Sequence, residues 1–159
     1  MTARVLVFLA IIFSACSSPK QMKEQNSDKE RVAMGYQAFD RKEPQLLDEI
    51  LSVDWVNIPS PPGIPPGPAG VKPTFARLIT TFPDLKLTIK DILQDGNKVV
   101  VRARMTGTQK EAFMDFRSKN RKIDIQVIDI HEVKDGKIIR TWHTEDWMSG
   151  LRQLGMLEK

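Results

Sequence analysis

The sequence predicts one α+β domain, in which an antiparallel sheet curls over N-terminal helices. Three observations predict it. Apolar residues recur at three- and four-residue spacing between residues 28 and 82, and then at two-residue spacing between residues 85 and 147. A proline-rich stretch interrupts the helical part, and short turn signals separate the later alternating runs. The chain has 159 residues, enough for one core and a leader. Helices followed by hairpin-linked strands can bury one sheet face only if the sheet wraps around them.

The leader comes first. Arg4 precedes the apolar run "VLVFLAIIF" and the small residues Ser14 and Ala15, which is the order of a signal peptide's charged, apolar and processing regions. The run is shorter than the roughly 20 apolar residues of a membrane span. Cys16, the chain's single cysteine, follows at once. "FSAC" resembles the lipobox of bacterial lipoproteins, which implies removal of residues 1–15 and lipidation of Cys16. The mature chain would then sit on the extracytoplasmic side of a bacterial membrane and contain no internal disulfide. Losing Arg4 lowers the net charge from +4 to +3. "RSKNRK" is the densest basic run, too short to suggest a nucleic-acid partner.

Residues 16–27 are polar and read as a flexible tether, so the domain is expected at residues 28–159. Asp28 can cap a first helix whose inner face carries Val32, Tyr36 and Phe39. A short helix after Pro44 follows, with Leu46, Leu47, Ile50 and Leu51 on one side, and then a brief strand, "WVNI". Seven of the ten prolines fall between Pro59 and Pro73, where missing donors and fixed φ predict a semi-rigid loop. Phe75, Leu78, Ile79 and Phe82 form the stripe of a third helix that Pro83 ends. The alternating runs "LKLTIKDIL", "KVVVRARMTGT", "KIDIQVIDIHEV" and "KIIRTWHTEDW" predict a four-stranded meander, closed by a helical turn at "MSGLRQLG".

The chain has two histidines and no Gly-rich phosphate loop, metal-ligand spacing or G-x-S-x-G elbow. Nucleotide, zinc and serine-nucleophile chemistries are therefore poorly supported. Its polar candidates lie on the last two strands. Alternation puts Ile123, Ile125, Val127, Asp129, His131 and Val133 on one face, apolar at one end and titratable at the other. On the next strand Ile139, Thr141, His143, Glu145 and Trp147 share a face, opposite Ile138, Arg140, Trp142, Thr144 and Asp146.

Which set joins Asp129 depends on the turn. A three-residue "KDG" loop, favoured by Gly136 in a bulge position, brings Val127 opposite His143 and makes Asp129 its diagonal neighbour. A two-residue "DG" turn would instead put Trp142 beside Asp129. In the first arrangement His143 acts as a base that Asp129 orients, and His131 supports the developing enolate oxygen. The plainer reading is that these histidines only satisfy hydrogen bonds on a half-buried strand.

"WVNIP", "PPGPAGVKPTFARLITTFPDLKLTI", "DIHEVKDGKI" and "TWHTEDWMSGLRQLG" together resemble the SnoaL-like polyketide cyclases, also called ester cyclases, of the nuclear transport factor 2-like superfamily. The resemblance spans about residues 28–155. It implies a cone-shaped antiparallel sheet holding a small hydrophobic ligand, and acid/base chemistry with no metal or cofactor. Where the family pattern has an aspartate after the strand tryptophan, this chain has His143 after Trp142. By position, the resemblance implies ligand contacts at Asn57 and Phe113, with Trp142 on the pocket wall. It also implicates Asp146, whose alternative is to cap the closing helix.

Two functions follow as expectations. One is a cofactor-independent cyclase, isomerase or hydrolase acting on a small apolar carbonyl compound. The other is a non-catalytic lipoprotein that binds a hydrophobic ligand or a partner protein. A homodimer through the exposed sheet face is a further expectation. Mass spectrometry of membrane fractions should find a mature chain starting at a lipidated Cys16; an unmodified soluble chain would refute the anchor.

Overall fold

A computed structural model describes the backbone of residues 19–157 and the side chains from Ser27 onward; the leader and Cys16 lie outside the described residues. The elements are α1 (Pro19–Arg41), α2 (Leu46–Ile50), β1 (Leu51–Ile58), α3 (Pro68–Thr81), β2 (Lys86–Asp95), β3 (Lys98–Thr108), β4 (Lys122–Lys134), β5 (Lys137–Glu145) and α4 (Trp147–Gln153). None of the described helices is long and apolar enough to cross a membrane.

Helix α1 begins at Pro19, not near Asp28, so most of the segment expected as a tether is helical. Proline suits the first helical position, and "KQMKEQ" after it contains only good helix formers. Asp28 is consequently no cap. Its Oδ2 accepts from Gln94 Nε2 at 3.1 Å, near the β2–β3 turn. At the other end of α1, Asp40 Oδ1 accepts from Leu87 N at 2.9 Å, so the helix runs antiparallel to β2.

The sheet order is β1-β5-β4-β3-β2. Strands β2 to β5 form the expected antiparallel meander, but β1 pairs parallel with β5 and the sheet is mixed. Strand β1 precedes the meander and reaches it only through a long crossover, so no hairpin imposes an antiparallel direction on it. The inner face of β3 and β4 carries Val99, Val101, Ala103, Met105, Ile123, Ile125 and Val127, all buried against Val32 and Ala38 of α1 and against Phe75 and Phe82. The outer face is charged, with Arg102 paired to Asp91 at 2.5 Å and Arg104 paired to Asp124.

The β4–β5 turn differs from the expected three-residue loop. Lys134 pairs with Lys137 across a two-residue turn, in which Asp135 (φ 49°) and Gly136 (φ 70°) are both left-handed as a type I′ turn requires. That register alone would have brought Trp142 beside Asp129. A bulge reverses the outcome: Val133 pairs with Ile138 but Glu132 pairs with Arg140, leaving Ile139 as the extra residue. Beyond the bulge Asp129 lies directly opposite His143, and His131 opposite Thr141. Before it, Ile138 faces the core in place of Ile139.

The proline-rich loop ends sooner than expected, because α3 starts at Pro68 and holds Pro73 within it. Pro68 occupies a first-turn position that needs no donor, and Pro73 sacrifices one helical bond. The loop is folded tightly onto this helix. A Cβ at Gly70 would lie 1.9 Å from the Pro65 carbonyl oxygen, whereas one at Gly63 meets nothing within 4 Å. Gly70→Ala should therefore destabilise by about 3 kcal/mol, the upper range for overpacking. Gly63→Ala, limited to its left-handed backbone preference, should cost about 1 kcal/mol. Thermal melts of the two variants test this; equal losses would contradict the packing of the loop on α3.

Candidate active site

Wrapping the sheet around α1 and α3 leaves a cavity of about 670 Å³. Val32, Ile50 and Ile138, each almost fully buried, line its closed end, and Pro61, Ile64, Thr74 and Met114 lie exposed at its rim. Most of the lining is apolar. The polar groups converge on one wall, where β4, β5 and β1 bring Asp129, His131, Thr141, His143, Glu145 and Asn57 to the cavity.

Tyr36, on the inner face of α1, donates its phenolic proton to Asp129 Oδ2. The same phenolic oxygen lies 3.1 Å from His131 Nε2. On the far side of that ring, Nδ1 lies 3.0 Å from Thr141 Oγ1, which itself accepts from Trp55 Nε1 at 3.0 Å. An indole N–H can only donate, and the tyrosine proton is committed to the carboxylate. The chain therefore has one direction: Trp55 donates to Thr141, Thr141 to His131 Nδ1, His131 Nε2–H to Tyr36, and Tyr36 to Asp129. Every proton in it points toward the carboxylate, as a neutral His131 and an ionised Asp129 require.

Burial sets the titration of the two ends. It raises the Asp129 pKa to about 6; the Tyr36 hydrogen bond opposes the rise and the Glu145 charge adds to it. Burial also lowers His131 to about 4. Tyr36 is held well above the usual phenol range by burial first, then by the charge and hydrogen bond of Asp129. Near neutrality the wall thus holds a carboxylate, a neutral imidazole and a neutral phenol.

His143 is held separately. Its Nδ1–H donates to Asn57 Oδ1 at 2.8 Å, and Nε2 has no hydrogen-bond partner among the described residues. The parallel β1–β5 pairing, with Asn57 opposite Thr141, brings this amide into reach. The expected Asp129–His143 contact is therefore replaced by two separate holds, one from α1 on Asp129 and one from β1 on His143. His131 lines the cavity as expected, but both of its ring nitrogens are engaged, Nε2 by Tyr36 and Nδ1 by Thr141.

The remaining candidates divide. Phe113 lines the cavity with its ring 5.6 Å from Phe82 and 4.8 Å from Trp147. Trp147 Nε1 donates to Glu145 Oε2 at 3.2 Å. Trp142 and Asp146, expected as ligand contacts, are not on the cavity wall. Trp142 faces outward, with Lys98 Nζ 4.6 Å and the Arg140 guanidinium 5.4 Å from its ring centre. Asp146 is exposed and caps α4, accepting from Ser149 N at 3.0 Å. The bulge explains Trp142, because it turns the odd-numbered residues of β5 inward. Sequence reasoning placed Tyr36 only on a helix's apolar face. It is the chain's single tyrosine, and a phenol on such a face needs a polar partner, which was the available signal. Among the described residues no three His, Cys, Asp or Glu side chains are grouped to hold a metal ion.

A family model described as SnoaL-like polyketide cyclase matches residues 30–154. TsrD from Streptomyces laurentii is similar in structure with a TM-score of 0.78 at 26% identity, over 84% of this chain and 98% of that one. A candidate polyketide cyclase from Bacillus cereus gives 0.74 at 30% identity, over 87% and 88% of the two chains. Wild-type IdmH from Streptomyces antibioticus gives 0.71 at 28%, over 80% and 98%. No protein with a curated description matches the sequence.

The opposed shifts of Asp129 and His131 have a consequence for stability. His131, lowered from 6.5 to about 4, withholds a proton that the unfolded chain takes up, so its contribution is lost as pH falls below 6.5. Asp129, raised from 3.8 to about 6, gains its proton earlier in the folded state, which adds stability over nearly the same interval. The two slopes offset, and stability should be nearly flat from pH 6 to pH 4.5. In Asp129→Asn only the histidine slope remains, so stability should fall by about 2 to 3 kcal/mol between pH 6.5 and 4.5. Urea unfolding at several pH values measures this, and parallel profiles for the two proteins would exclude the coupling.

Proposed function

Because the chain belongs to the SnoaL-like polyketide cyclase family, we propose that its cone takes a small hydrophobic carbonyl compound and moves a proton at the carbon beside the carbonyl. The observation that carries this reading is Asp129: a carboxylate in an apolar wall, with a pKa of about 6 and one oxygen fixed by Tyr36. Such a group is ionised at neutral pH and basic enough to abstract a carbon-bound proton. In the proposed reaction Asp129 takes that proton and the electron pair moves onto the carbonyl oxygen. The enolate carbon then adds to a second carbonyl carbon of the same molecule, closing a ring. The proton taken by Asp129 then passes to the new alkoxide through a water that donates to His143 Nε2, and the carboxylate is restored. Without the second carbonyl, reprotonation at carbon completes an isomerisation.

The location of this chemistry is part of the same proposal. Arg4, the apolar run and "FSAC" support a lipid on Cys16 that holds the domain outside the cytoplasm of a bacterium.

Benzoylacetone, an apolar diketone of suitable size, provides a test through exchange of its α-hydrogens in D2O followed by NMR. The wild type should accelerate exchange, with kcat/KM rising from the acid side around pH 6. Asp129→Asn should lower it by about 100-fold or more, and His143→Gln by about tenfold. Tyr36→Phe removes a bond that favours the carboxylate, so the inflection should move to higher pH. Glu145→Gln removes a neighbouring negative charge, so it should move lower. Full exchange activity in Asp129→Asn would refute the assignment. A ligand bound in the cone with no exchange in the wild type would leave a binding protein.

A further inference from the structure

Arg77 is the only lysine or arginine that lines the cavity among the described residues. It stands on α3 three residues after Thr74, so the two side chains share a helical edge, and both line the cavity. Both are exposed, at the open end. No described residue forms an ion pair or a hydrogen bond with Arg77. Elsewhere on the same helix, Lys72 is bound to Asp48 at 2.6 Å, and the outer-face arginines 102, 104 and 140 each have a carboxylate partner.

Charge is therefore distributed unevenly around the cavity. The sheet wall carries the carboxylates of Asp129 and Glu145, and the helical rim carries one unneutralised guanidinium beside a hydroxyl. An apolar ligand that also bore an anion would not turn that anion toward Asp129, because like charges a few ångströms apart in a weakly screened cavity repel strongly. At the rim the same anion meets the planar donors of Arg77, which suit a carboxylate, sulfonate or phosphate, together with the Thr74 hydroxyl. Resting on the reading of the cone as a carbonyl-compound site, we infer that Arg77 and Thr74 form an anion subsite and that the ligand is an acidic amphiphile. Its apolar body fills the cone and its acidic group stays at the rim. This arrangement gives the ligand one orientation, with the carbonyl directed inward to Asp129.

Two fluorescent probes that differ by a single sulfonate separate this from simple hydrophobic binding. Anilinonaphthalene sulfonate carries the anion, and N-phenylnaphthylamine has the same ring skeleton without it. Binding is measured by fluorescence in the wild type, Arg77→Gln and Arg77→Lys, and the His143 ring resonance in the NMR spectrum reports whether each probe enters the cone. The anionic probe should bind the wild type about tenfold more tightly than the neutral one and weaken with added salt. Arg77→Gln should abolish that advantage without affecting the neutral probe, and Arg77→Lys should restore part of it. Equal affinity of the wild type for both probes, an unchanged anionic affinity in Arg77→Gln, or an anionic probe that leaves His143 unshifted would each overturn the inference. Probe binding in the wild type requires no turnover, so absence of exchange activity would refute the catalytic reading while leaving the anionic preference and its loss in Arg77→Gln to be read separately.

Discussion

The carboxylate of Asp129 is the constraint on which the site depends. A carboxylate in the apolar wall of a cavity is costly unless a donor reaches it, and the donor here comes from a different layer of the fold. Tyr36 extends from α1 across the core to β4, so the helix and the sheet cannot shift against each other without exposing that charge. Satisfying the phenolic oxygen then recruits His131, which recruits Thr141 and Trp55. One buried charge thereby sets the arrangement of side chains on α1, β1, β4 and β5.

The same dependence explains why the sheet register matters more than any single side chain. The β4–β5 hairpin alone would have directed Trp142 and Asp146 into the cone and His143 out of it. The extra residue Ile139 restores His143 to the wall, facing Asp129. The parallel edge strand completes the arrangement by bringing Asn57 to the histidine's other side. A bulge and an edge strand thus determine which imidazole nitrogen faces the cavity.

Much of this was legible in the sequence. Alternation in "KIDIQVIDIHEV" located the wall and both of its titratable residues on β4, and helical spacing located the faces of α1 and α3. The turn type and the bulge were not legible, because Gly136 suits both a three-residue bulged loop, which the sequence favours, and the two-residue turn that forms, and a bulge depends on packing beyond the strand itself. The roles also changed. Alternation places His131 on the cavity face, yet its engagement by Tyr36 and Thr141 depends on partners 95 residues and 10 residues away in sequence. Tyr36 fits the apolar stripe of α1, and that pattern carries no sign of its hydroxyl. Periodicity registers where a side chain points and says nothing of the polar atom at its tip.

Helix α1 also gives the molecule a direction. Asp28 lies against the β2–β3 turn and Asp40 against the start of β2, so the N-terminal half of the helix lies at the closed end of the cone and its C-terminus lies toward the rim. The helix has 23 residues and extends roughly 35 Å at 1.5 Å per residue. The N-terminus of α1 therefore lies on the side of the domain opposite the opening. Any support attached at that end would leave the opening facing away from it, like a goblet standing on its stem.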